Sequence, residues 1–396
     1  MLPALWIAEK INKPSDLFCI ILYLLIYIPP LFVMYHTTIP ELSPDEVQML
    51  NIYLLIGMVF VSIVPRLPNF NFRRMPVTPQ IFIAFLTFFS IGLVVYLVAT
   101  LGRYAHFTLD FVEVYDVRAA VGEAASAGGS AFASYATNWL SGFVFPLCFA
   151  IGIQCRKRWL VATGILAPLF LYTLTAMKST LFTPLYMLLI YLLLRYKRER
   201  FTLNFTVGYI VILSVGIVLN NWISGDAAIA YSALVHVRIF SIPAQLIAQY
   251  YDFFNNNPVT YLSHVKGFNL LNEYPYSTDL SHMLGDYYYG SPELGSNAGF
   301  WAADGLSGFG SIGIIYLSIV CGGILWLLDS LAVEFDERFM ALLCSYLVIV
   351  FSCVSLFTTI LSGGLVFVFL ALICWPETGG LCTVLKVKSG TDIWGH

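Results

Sequence analysis

What most constrains this chain is a succession of apolar runs, each close to the roughly twenty residues an α-helix needs to cross a ~30 Å hydrocarbon core. Ten are legible, near 16–36, 48–65, 79–101, 135–154, 159–176, 179–195, 203–222, 308–328, 339–357 and 360–375. Inside a bilayer no water is available to the backbone, so only helices and closed barrels can span it. A barrel would show short alternating strands, and none are present in the sequence. The balance of 59% hydrophobic to 11% charged residues agrees, since an ordinary soluble domain carries about a quarter charged residues. The expected fold class is all-α: a polytopic membrane helix bundle of about ten transmembrane helices with a large helical outer loop.

The first run is too long, and too poor in small residues at its end, for a cleaved leader, so it is expected to remain as a helix. Orientation follows from Lys and Arg, which stay on the cytoplasmic side. Lys10, Lys13, the RLPNFNFRR stretch (66–74), RKR (156–158), RYKRER (195–200), Arg338, Lys386 and Lys388 fall on one side, fifteen of the twenty basic residues. Both termini are therefore expected there. All eight cysteines lie in spans or at this basic side, so no outer disulfide is expected, and no spacing suggests zinc.

The expected organisation is an N-terminal bundle of seven helices over 1–222 with a first outer loop at 102–134. A large outer region follows at 223–307, then three helices and a tail over 308–396. Within the outer region, YSALVHVRIFSIPAQLIAQYYDFF (231–254) places Leu234, Arg238, Ile242 and Gln245 on one helical stripe, with Pro243 as a kink. It is expected to lie against the outer leaflet rather than cross. A charge at mid-bilayer costs about 2.5–3.5 kcal/mol on insertion scales, and His236 and Arg238 would bring that cost. A crossing here would move the C-terminus to the other side.

The remaining cations oppose the charge bias. Arg103, Arg118, Lys178 and Arg238 lie at outer mouths or loops, where the Arg fork suits phosphate oxygens; an anionic ligand at the membrane surface, a lipid phosphate or pyrophosphate, would explain them. Arg103 could instead snorkel, and Arg118 could pair with Asp116 or Glu113. In PYSTDLSHMLGDYYYG (275–290), Asp279, His282 and Asp286 fall on one helix face after a Ser277 or Thr278 cap. An imidazole between carboxylates can serve as an oriented base; a wet surface helix with local ion pairs would use the same residues. Tyrosines and tryptophans crowd the region, and Tyr287, Tyr288 and Trp301 offer rings suited to sugar faces, beside the interfacial belt expected of any such protein. Asn297 and Asp304 sit in the glycine-rich GSNAGFWAADGLSGFG (295–310), whose glycines permit close approach to a sugar or tight helix packing. There is no GxSxG elbow, HExxH or P-loop.

The segment GSNAGFWAADGLSGFGSIGIIY, preceded by its Tyr-rich stretch, resembles the region before a late transmembrane helix in the Wzy-type O-antigen and oligosaccharide repeat-unit polymerases. VRAAVGEAASAGGSAFASYATNWLSGFVFPL (117–147), TAMKST and VRIFSIPA are similar to that family's first outer loop, basic hairpin and arginine-bearing second outer loop, although Lys178 stands where an Arg is more usual. The resemblance implies a metal-independent, cofactor-free glycosyltransferase of the bacterial inner membrane, active at the periplasmic face. It would move a growing glycan from undecaprenyl pyrophosphate to the terminal sugar of a lipid-linked repeat unit. Arg103, Arg118, Lys178 and Arg238 would hold the pyrophosphate, and one of His282, Asp286, Asp279 and Asp304 would take the acceptor proton. Asn297, Tyr287, Tyr288 and Trp301 would bind glycan. Membrane lipid and a chain-length regulator are the implied partners, and nucleic acid is not among them. The related O-antigen ligase shares the donor and is the nearest alternative. A transporter or flippase of a lipid-linked anion is a third, though it would want mid-span charges and inverted repeats.

Overall fold

The computed structural model describes residues 2–108, 132–222, 225–297, 299–376 and 382. Among them every regular element is helical, and nine helices are long and apolar enough to cross a membrane. The chain is a multi-pass helical membrane protein. We label the long helices α1 (Pro14–His36), α2 (Pro44–Arg66), α3 (Pro79–Tyr104), α4 (Phe132–Gln154), α5 (Arg158–Thr175), α6 (Lys178–Tyr196), α7 (Phe201–Trp222) and α8 (Ala228–Asn256). The shorter α9 (Leu280–Tyr289) precedes α10 (Ser311–Leu331).

Proline and polar caps set the starts. Pro14, Pro44 and Pro79 each open a helix, where a missing N–H costs nothing. Ser43 and Glu46 close a reciprocal capping box at the head of α2. Further inside, proline cannot donate to the carbonyl four residues back and its ring crowds it. At three such prolines the chain has wide π-helical turns immediately upstream: Tyr23–Tyr27 before Pro29, Leu140–Val144 before Pro146, and Ala233–Ser241 before Pro243; Pro168 and Pro184 sit inside α5 and α6 without one. At Pro243 the expected kink is thus a nine-residue widened stretch in an unbroken helix.

Two compact units interleave along the chain. One holds described residues from 2–69, 197–329 and 348–359, the other those from 70–196, 330–347 and beyond 360. In the first unit, Lys10 pairs with Glu199 at 3.2 Å, and Lys13 donates to Leu67 O and Asn69 Oδ1, both at 2.9 Å. The start of α1, the end of α2 and the start of α7 therefore share one basic end. The far end of α10 returns there too, for the Asp329 carboxylate accepts from Ser15 N at 2.9 Å and Ser15 Oγ at 2.5 Å.

This return decides how α8 runs. Since α7 leaves the basic end and α10 comes back to it, the chain between them lies at the opposite end. α8 begins beside α7, where Tyr231 donates to Ile212 O and His236 Nε2 lies 2.8 Å from Leu213 O. Near its close, Gln249 Nε2 donates to Ile39 O in the connection from α1 to α2. α8 is long and apolar enough to cross; its first turns meet the middle of α7 and its last turns the connection between α1 and α2, at the end opposite the basic one, which we call the outer end.

In the second unit, Arg74 pairs with Glu334 at 2.7 Å and stacks over Phe335, while Phe82, Phe335 and Phe339 pack on Trp375. α4 and α5 lie close because Gly152 and Gly164 leave room, a Cβ at either meeting backbone atoms at 3.0 Å or less.

One expectation fails. The apolar runs at 339–357 and 360–375 are not continuous spans; they break into α11 (Glu337–Leu343), α12 (Ser345–Cys353), α13 (Leu356–Leu361) and α14 (Leu365–Ile373). One break follows from Gly364 at φ 92°, another from a buried carboxylate described below. Cys155 and Cys382 form a disulfide across 227 residues with Cα atoms 5.4 Å apart, a pairing on which the expectation of no outer disulfide is silent.

Candidate functional site

At the outer end of the first unit, α9 carries the expected acid–base residues. Its N-cap is Asp279 itself, not Ser277 or Thr278, and the Asp279 side chain accepts from His282 N. Asp279 Oδ1 also lies 2.6 Å from His282 Nδ1. A carboxylate this close fixes the imidazole with its proton on Nδ1 and leaves the Nε2 lone pair outward, the tautomer a general base needs. Both side chains are about half exposed or more, at 49% and 63%, so a substrate hydroxyl can reach them. Asp286 is also exposed, one turn further on.

α9 is held by α8 and by the strand-like stretch before α10. Tyr288 donates to Asp252 Oδ2 at 2.6 Å and Tyr289 Oη accepts from Gln245 and Gln249. Burial, reinforced by the bond to Asp252, pushes the Tyr288 phenol well above its ordinary range. Tyr288 is thus a structural tie more than an open sugar platform, whereas Tyr287 is 60% exposed and stands edge-on to Phe253. Gly285 lets Leu294 O come within 1.9 Å of where a Cβ would sit. Ser296 N donates to Ser281 O at 3.0 Å, which ties the segment bearing exposed Asn297 to the first turn of α9.

The chain then folds back along the first turns of α10. Trp301–Leu306 is π-helical, Gly305 packs on Gly313 with a Cβ-to-backbone clearance of 3.2 Å, and Trp301 Nε1 donates to Ser318 Oγ at 2.7 Å. Trp301 is 1% exposed. With its face covered and its donor used, it offers a glycan nothing, contrary to the sequence-based expectation.

Asp304 is the centre of this fold-back. It is fully buried. Its Oδ1 accepts from Ser355 Oγ at 2.6 Å and its Oδ2 from Leu356 N at 2.5 Å. The carboxylate therefore supplies the acceptor that the first turn of α13 lacks, and this is why the apolar run at 339–357 ends at the Val354–Ser355 break. His264 Nε2 stands 3.4 Å from Oδ1, and its Nδ1 is 2.9 Å from Thr260 Oγ1. With both oxygens engaged and the side chain buried, Asp304 acts as a clamp on the start of α13.

Of the four expected phosphate ligands, Arg238 lies in the first unit and Arg103 and Lys178 in the second. Arg118 lies outside the described residues. Arg238 is exposed on the widened stretch of α8 in the first unit. Arg103 and Lys178 belong to the second unit and share one end of it, since His106 N donates to Thr173 O and Tyr172 Oη to Thr108 O. Arg103 is exposed and stacks over Tyr104 at 4.7 Å. His264, Thr260, Asp252 and Ser355 were not singled out from sequence. His264 and Asp304 are 40 residues apart, and no local spacing signals their meeting.

Compared with protein-family models, with curated proteins and with solved structures, the chain matches none. The site's chemistry must therefore be argued from its own residues.

Proposed function

We propose that the protein is a glycosyltransferase that moves a glycan from a lipid-linked pyrophosphate to a hydroxyl of a second lipid-linked sugar, as a repeat-unit polymerase does. The Asp279–His282 dyad carries this reading: an exposed, carboxylate-oriented imidazole at the outer end of a membrane bundle. Its Nε2 would take the acceptor hydroxyl's proton while that hydroxyl's oxygen bonds to the donor's anomeric carbon, the anomeric carbon–phosphate oxygen bond breaks and the pyrophosphate lipid leaves with the bonding pair. Exposed Arg238, in the same unit as the dyad, would stabilise that leaving charge, the larger share of the rate in such a transfer. Tyr287 and Asn297 would seat the acceptor sugar. A substrate anchored in the leaflet meets groups at this height without leaving the membrane.

The reading is tested in cells that make lipid-linked repeat units and depend on this protein for long glycans. His282→Ala and Arg238→Ala are expected to insert normally and to lose long chains, with general-base loss worth about 10²–10⁴-fold. Normal glycan ladders from both variants would overturn it.

A further inference from the structure

We infer that the turn-rich segment Tyr261–Leu271 is a membrane-surface anchor, its Leu270–Leu271 tip set among lipid acyl chains and Lys266 at the phosphate level. Leu270 and Leu271 are 86% and 77% exposed, the most open aliphatic side chains among the described residues of the outer region. They are not there through slackness. Val265 N donates to Leu262 O, Phe268 N to Val265 O, Leu271 N to Phe268 O, and Gly267 N to Asn269 Oδ1. Such a chain of closed turns fixes where each side chain points. Phe268 turns inward onto Phe357 at 5.2 Å, which leaves the two leucines outward.

Continuity with the lipid-facing side of α10 identifies the occupant. On that helix Ile312, Tyr316, Ile319 and Val320 form an exposed apolar stripe, and a spanning helix shows such a stripe to lipid. Tyr316 packs on Phe309 at 5.8 Å, and Phe309 on exposed Tyr261 at 6.2 Å. Thr260 N and Tyr261 N donate to Ser307 O and Gly308 O, pinning the segment to the outer mouth of α10. Tyr261 and Leu262 both hold left-handed backbone, φ 48° and 64°, a conformation bulky residues keep only when the surroundings impose it. Here it turns the chain so that Leu262 is buried under Gly308 while Tyr261 faces out. An apolar tip, an exposed aromatic and an exposed cation on one short segment are the residue types that suit the acyl, interfacial and headgroup layers of one leaflet.

The test replaces Leu271, and separately Glu293 as an exposed control, with the photoreactive benzoylphenylalanine in the full-length protein. The protein is placed in nanodiscs of equal phosphatidylethanolamine and phosphatidylglycerol, irradiated and examined by intact mass. Lipid adducts are expected at 271 at ten or more times the yield at 293. Phosphatidylglycerol is expected to be enriched about fivefold in them, matching one basic residue near an anionic surface, and Lys266→Gln should remove the enrichment. Protein–protein adducts at 271 would assign the surface to a second copy and overturn the inference, as would yields equal to the control. Adducts without headgroup preference would overturn the part given to Lys266.

Discussion

Removing the Asp304 carboxylate should unfasten the break between α12 and α13. In Asp304→Ala the buried Leu356 N–H and Ser355 O–H both lose an acceptor at 2.5 and 2.6 Å. Hydrogen bonds to a charged group contribute about 1.5–3 kcal/mol each, giving about 3–6 kcal/mol for two. Relief of the buried carboxylate's own desolvation reduces this, and about 3–5 kcal/mol is the loss expected when a buried charged contact is broken from one side. Asp304→Asn keeps the shape and one acceptor oxygen, so about half that loss is expected. Reversible unfolding by sodium dodecyl sulfate in mixed micelles, followed by circular dichroism, measures both. Stability of Asp304→Ala within about 0.5 kcal/mol of the parent, the range of ordinary surface changes, would refute the clamp. Loss of transfer in a variant of unchanged stability would instead make Asp304 a participant in the chemistry.

Gly313→Ala should cost about 1–3 kcal/mol by overpacking, since its Cβ would meet Gly305 O at 2.0 Å; unchanged unfolding in the same assay would contradict the close fold-back. Tyr288 has a folded-state pKa raised from the ordinary 10.0 by burial and by Asp252. Its contribution is therefore complete below about pH 10 and lost as pH rises towards the folded value. Stability should fall above that pH, and Tyr288→Phe should flatten the fall; an identical slope in the variant counts against the tie to Asp252. In protein isolated without reductant, maleimide-polyethylene glycol should label two more thiols after reduction, and Cys155→Ser should abolish that difference. Equal labelling before and after reduction would show that Cys155 and Cys382 do not pair.

The spans from α1 to α7, and α10, are legible in sequence because lipid imposes one rule on every residue of a crossing helix. α8 is legible as a helix from its apolar spacing. The dyad is legible since Asp279 and His282 are three residues apart on one helix. What sequence does not reveal is set by distant partners. The break at Val354–Ser355 exists because Asp304, 52 residues away, takes the Leu356 N–H. His264 acquires meaning only from that same carboxylate, and Cys155 from a residue 227 positions on. Trp301 looks like an open ring beside glycines, but those glycines bring α10 so near that the indole is buried under it.

The central claim is glycosyl transfer between lipid-linked sugars, with His282 as the base. Purified protein in liposomes, given a synthetic repeat unit on a polyprenyl pyrophosphate, tests it most directly when products are resolved by mass spectrometry. Dimers and longer glycans on the carrier are expected, with released polyprenyl pyrophosphate in equal amount, and His282→Ala should cut their rate at least 10²-fold. No elongation by the parent protein, or elongation at parental rate by His282→Ala, would contradict the account.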